Sequence, residues 1–93
     1  MNKYELHQAN AILEAVRDEY DNAYKLAKAR RKKAAYEATD RALELMLDFH
    51  SLVASHRISD EANRTASQWL RRAQLVFVKN GWLHPWRVEP RVR

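Results

Sequence analysis

Apolar residues recur along the first third of the chain as Leu6, Ala9, Leu13, Val16, Tyr20, Ala23 and Ala27, at spacings that alternate between three and four. That alternation puts one apolar side chain per turn on a single face of an α-helix, the seam of a heptad. The seam is rich in alanine, so a neighbouring helix can approach it closely. The next position in line is Arg31, where an apolar residue belongs. The heptad therefore fails at this point, and the helix either ends, bends, or projects beyond its partners with charge all round.

A second phase follows as Ala42, Leu45, Phe49 and Leu52, widened by Met46 and Val53, with Glu37, Asp40, Glu44 and Asp48 along the opposite side. This predicts an amphipathic helix with an acidic outer face. The third phase is Ala62, Ala66, Trp69, Ala73, Val76 and Phe77. Ser59 fits as its N-cap, with Asp60 and Glu61 where the helix dipole favours negative charge, and Asn80-Gly81 as the stop. No break is visible between Asp60 and Asn80, so the segment reads as one continuous helix rather than a helix-turn-helix.

The expected fold is all-α: a small antiparallel bundle or hairpin of two to three helices, then an extended tail containing Trp and Pro. Helix 1 is expected over about 3–36, helix 2 over 40–55 and helix 3 over 60–80. Pro85 and Pro90 bias the residues before them away from helix, so 81–93 reads as extended. A helix over 3–36 would be roughly 50 Å long, whereas the third would cover only about 30 Å. This mismatch leaves open whether helices 1 and 2 merge or are separated by a turn.

Composition narrows the chemistry. Ninety-three residues correspond to one domain, and 46% hydrophobic residues suffice for a core. With no Cys, disulfides and thiolate metal sites are excluded, and an intracellular, cytoplasmic setting is the default. The N-terminal stretch has no apolar signal core, and no run is long enough to span a membrane. The four histidines form no i,i+3 or i,i+4 pair, one glycine cannot make a phosphate loop, and the helically spaced carboxylates read as solvated faces. No enzyme activity, metal or cofactor is expected.

Charge changes the picture more. The net charge of +5 is unevenly placed: residues 25–36 carry six cations and no carboxylate, between acidic stretches on either side. Clustered cations create a local field that a polyanion can use. Lys25, Lys28, Arg30, Arg31, Lys32 and Lys33 are the primary candidate site for nucleic acid or another polyanion, with Arg64, Arg71 and Arg72 secondary. Internal pairing of Lys25, Lys28 and Lys32 with Glu37, Asp40 and Glu44 across a hairpin is the structural alternative. Such exposed pairs contribute under about 1 kcal/mol each. A membrane surface is disfavoured because no bulky apolar face accompanies the cations.

Trp82, Trp86 and Arg87 are candidate partner or tail contacts, which would either cover the end of the core or meet a ligand. Leu75 and Val78 lie off the apolar stripe and need a cover, so a homodimer or higher oligomer is compatible with the pattern. The leading expectation is a small non-enzymatic nucleic-acid or polyanion binder. The alternative is a protein-interaction module, such as a viral-type inhibitor or adaptor, that meets an acidic surface of a host protein. The third is an oligomeric binder of a small anionic nucleotide.

Overall fold

A computed structural model of the chain describes residues 3–82, and within them it is all-α, with three helices and no strand. The helices are α1 (Lys3–Lys28), α2 (Lys32–Leu52) and α3 (His56–Lys79). The expected extended tail, with Trp86 and Arg87, lies outside the described residues. No helix among those described is long and apolar enough to cross a membrane.

The chain runs up, down and up. α1 is the central element: both other helices pack on it, while α2 and α3 touch each other little. Glu19 of α1 meets Arg41 of α2, and Ala27 shares a cluster with Ala35, so α2 lies antiparallel to α1. Asp21 meets Arg72 and Ala27 meets Asn80, so α3 runs parallel to α1.

The α1 seam is the axis of the core. Ala9, Val16, Tyr20, Ala23 and Ala27 are buried, whereas Leu6 at the open end remains exposed. The core falls into two parts along that axis. Near the start of α1, Val16, Tyr20, Met46, Phe49 and Val53 fill the space between the helices with bulk. Near the end of α1, Ala23, Ala27, Ala35, Ala38 and Ala73 pack around Phe77. Four of these alanines flank the α1–α2 crossing with no accessible surface, and short side chains of this kind set interhelical distances toward the low end of the usual range. Thr39, buried beside them, satisfies its hydroxyl by donating to the Ala35 carbonyl at 3.1 Å.

Four expected boundaries are corrected. The helix expected over 3–36 ends at Lys28, and at 26 residues it is about 39 Å long, so no surplus projects from the bundle. α2 begins at Lys32 rather than 40, because Ala35 and Ala38 are drawn onto Ala23 and Ala27, and it ends at Leu52 rather than 55. α3 begins at His56, one turn before Asp60. Ser55 is the N-cap in place of Ser59, its hydroxyl accepting from the Ile58 amide at 3.4 Å. The extra turn brings Ile58 against the first core cluster, a gain that the Ser59 cap would forgo.

The end of α3 follows the expected pattern. Gly81 has a φ of 79°, and the Trp82 amide donates to the Phe77 carbonyl while the Gly81 amide donates to Val78. This is a Schellman motif, whose two bonds satisfy carbonyls the helix leaves open. It folds Trp82 back so that its ring lies 5.6 Å from that of Phe77 and 6.0 Å from that of Tyr36. Trp82 thus closes the alanine-lined end of the core.

Candidate polyanion-binding surface

The turn between α1 and α2 consists of Ala29, Arg30 and Arg31, and it too is a Schellman motif. The Arg31 amide donates to the Leu26 carbonyl and the Arg30 amide to Ala27, both at 2.9 Å. Arg30 holds the left-handed position with φ 61°, the only non-glycine residue with positive φ among those described. A residue with a Cβ there costs about 1–2 kcal/mol. Continuing the helix would be worse in two ways. It would bury the Arg31 charge in the seam without a partner, and it would place Lys28 beside Arg31 and Lys32 on one helical face, where like charges repel.

The turn concentrates cations at the alanine-packed end of the bundle. Lys25, Lys28, Arg30, Arg31, Lys32 and Lys33 are all exposed. Arg31 is the N-cap residue of α2 but supplies no side-chain acceptor, and no carboxylate stands in the first turn of that helix. The positive end of the α2 dipole therefore adds to the field of Arg31, Lys32 and Lys33, which line a shallow depression with Ala34 and Glu37.

The cations are not equivalent. Lys25 pairs with Asp21 one turn back at 3.1 Å, and Arg72 of α3 reaches the other oxygen of the same carboxylate at 3.2 Å. The Arg72 guanidinium also lies over the Tyr24 ring, 3.9 Å from its centroid. Lys28 donates to the Tyr24 hydroxyl at 3.3 Å, and this bond, with the Arg72 charge, holds the Tyr24 phenol below the usual tyrosine range. Arg30 donates to the Asn80 side-chain oxygen at 3.1 Å, and Lys32 sits 5.8 Å from the Tyr36 ring centroid.

Lys28, Arg30, Arg31, Lys32 and Lys33 make no ion pair among the described residues. The pairing of Lys25, Lys28 and Lys32 with Glu37, Asp40 and Glu44 does not form. The α1–α2 ion pair is instead Arg41 with Glu19, at 3.1 Å. The reason is geometric: the turn at 29–31 puts the cations at the end of the hairpin, whereas Glu37, Asp40 and Glu44 point out along α2 and are exposed.

Of the secondary candidates, only Arg72 is brought to the cluster. Arg64 lies eight residues earlier on α3, about 12 Å along the axis, and Arg71 is turned away from Asp21; both are exposed. Trp82 is partly buried against Phe77 and Tyr36, so its ring is engaged by the protein's own core. Sequence reasoning missed Asp21, Tyr24 and Asn80. The first two carried a readable signal, since Asp21–Lys25 and Tyr24–Lys28 are both i,i+4 pairs. Asn80 carried none, because its partners lie about fifty residues away.

Compared with known protein families, curated proteins and solved structures, the chain matches none.

Proposed function

We propose that this protein is a non-enzymatic binder of nucleic acid, or of another polyanion, which it engages through phosphate contacts at the α1–α2 turn. The observation that carries the reading is the exposure of Lys28, Arg30, Arg31, Lys32 and Lys33 at one end of the bundle, with no carboxylate paired to any of them among the described residues. The fold gains from such a concentration only contacts to the neutral side chains of Tyr24, Asn80 and Tyr36, while like charges repel and no compensating ion pair is made. A polyanion turns the same concentration into affinity by releasing its condensed counterions. Lys25 and Arg72, which share Asp21, extend the surface onto α3. Phosphate contacts position a protein without reading bases, so this surface implies no sequence preference.

One feature favours a second reading, an acidic surface on another protein. Leu75 and Val78, 60% and 61% exposed, stand one turn apart on α3 beside the exposed Arg71 and form a mixed apolar and basic face. The deciding experiment is a titration with random-sequence duplex and single strands across a salt series. The logarithm of the binding constant should fall linearly with the logarithm of salt concentration. Replacing Lys32 and Lys33 by glutamine should reduce the duplex slope by about 0.9 for each phosphate that the protein no longer neutralises. No detectable binding to either form at about 50 mM salt would exclude the nucleic-acid reading.

A further inference from the structure

Beside the cation cluster, α1 and α3 leave between them an open cleft of about 270 Å³ lined by Arg17, Asp18, Tyr20, Asp21, Trp69 and Arg72. That volume is just below the range of drug-sized ligand pockets, and suits a single planar ring system. The chemistry of the walls is mixed in a specific way. Trp69, partly buried, supplies the aromatic surface; Tyr20 also lines the cleft but is itself almost wholly buried. Arg17 and Arg72 supply cations on either side, and Asp18 and Asp21 supply acceptor-only oxygens.

The Asp21 charge is already matched, since Lys25 and Arg72 both bind its carboxylate. Asp18 is freer: its side chain is 72% exposed and held only by a 3.4 Å contact from Arg17. Its second oxygen, Oδ2, makes no hydrogen bond among the described residues. A ligand that fits must therefore combine an aromatic ring, a donor edge for a carboxylate and an anionic group for the arginines. An unpaired nucleotide combines all three. Among the bases, guanine presents two adjacent donors, its ring N–H and its amino group, to the two oxygens of one carboxylate. Thymine and uracil flank their single ring N–H with carbonyl oxygens that a carboxylate repels.

Through the Asp21 carboxylate the cleft is continuous with Lys25 and, by way of Tyr24, with Lys28. We infer that the α1–α3 cleft is a base pocket that takes one unpaired guanine nucleotide, with the base over Trp69, its donor edge on Asp18 and its phosphate between Arg17 and Arg72. The pocket rests on the polyanion reading and deepens it. The cluster at 25–33 gives affinity for any strand, and the cleft adds a preference for single strands that contain guanine. Aromatic stacking inside a basic groove is the usual basis for holding single strands.

The test compares a short oligothymidylate with the same strand carrying one central guanine, each titrated into the full chain and into Asp18→Ala. Asp18 is exposed, so the substitution leaves the core intact. The guanine strand should bind the unsubstituted protein roughly tenfold more tightly, the discrimination typical of one bidentate base contact. Asp18→Ala should abolish that advantage while oligothymidylate binding is unchanged or slightly stronger, because a negative charge has been removed. The duplex form of the guanine strand should respond to Asp18→Ala no more than oligothymidylate does. Guanosine monophosphate, titrated alone, separates two sources of the same chemistry. Binding as tight as the strand's assigns the cleft to a free nucleotide, and much weaker binding assigns it to a strand tethered by the cations. Equal binding of both strands, or a guanine advantage that survives Asp18→Ala, would overturn the base pocket and leave the polyanion reading standing. Failure of every strand to bind at low salt would remove both.

Discussion

The side chain of Asn80 donates from Nδ2 to the carbonyl oxygen of Ala27 across 2.8 Å, tying the end of α3 to the end of α1. The same carbonyl accepts the Arg30 amide of the turn, so both of its lone pairs are used. On its other side the Asn80 amide oxygen accepts from Arg30 Nη1 at 3.1 Å. The C-cap residue of α3 thus fastens the turn that displays the cations. Replacing Asn80 by alanine should destabilise the fold by about 1 kcal/mol, the net worth of a partly buried neutral hydrogen bond. Urea unfolding followed by circular dichroism checks this through a lower midpoint with an unchanged slope.

Arg30 holds a backbone conformation that glycine adopts freely. Arg30→Gly should relieve the left-handed strain but lose some backbone entropy and the exposed bond to Asn80, for a net gain in stability of no more than about 1 kcal/mol. The same substitution should weaken polyanion binding and lower its salt slope. A variant that is more stable and binds less tightly would mark Arg30 as a residue kept for its charge rather than for the turn. Thermal melts and the salt-series titration together read both effects.

The alanine-packed end of the core leaves no room for larger side chains. Ala27 has no accessible surface and faces Ala35, Ala38 and Phe77. Ala27→Leu should cost about 1–3 kcal/mol by overpacking. It should also spread the turn, so that polyanion binding weakens at an unchanged net charge. At the opposite extreme, Phe77→Ala should cost about 3–5 kcal/mol, because the ring is fully buried beneath Trp82 and Tyr36. For a chain of this size that approaches the whole stability of the fold, and loss of helical circular dichroism at room temperature would register it.

Burial pushes the Tyr20 phenol up to about 12 from its ordinary 10.0. The folded state therefore keeps a proton that the unfolded chain releases near pH 10. Its contribution is fully present below pH 10 and is lost as pH rises from 10 through 12. The loss should reach up to about 2 kcal/mol, allowing for the edge of Tyr20 that meets the cleft. Tyr24 moves the other way, since the bond from Lys28 and the Arg72 guanidinium favour its phenolate. Burial also raises the Tyr36 phenol, so a spectrophotometric titration should show one tyrosine, Tyr24, ionising early and two, Tyr20 and Tyr36, ionising late. Arg72→Ala should move the early step upward, and Tyr20→Phe should remove one of the two late steps and flatten the alkaline stability profile.

Much of the architecture was legible in the chain because the signals involved are local. The three-and-four spacing from Leu6 to Ala27 identified the buried face of α1, and the same reasoning found Ala42, Phe49, Ala66 and Phe77. Asn80-Gly81 marked the end of α3, because only a residue without a Cβ takes positive φ at little cost. The failure of the heptad at Arg31 marked the cation-rich segment as a break. What kind of break it was could not be read, since no glycine or proline signals a turn there.

That choice belonged to the tertiary structure. Whether the chain reverses at Ala29–Arg31 depends on the alanines of α2 closing onto those of α1 and on Asn80 arriving from α3, contacts between residues far apart in sequence. The earlier start of α3 was decided the same way: Ser55 and Ser59 are equally able caps, and the burial of Ile58 selects between them. The cleft between α1 and α3 is also a product of packing, since Asp18 and Trp69 have no relationship until the helices lie side by side. Periodicity and propensity act over a few residues and so can be read from the sequence by themselves. Turns without glycine, and clefts between helices, arise from long-range burial and become visible only once the bundle is assembled.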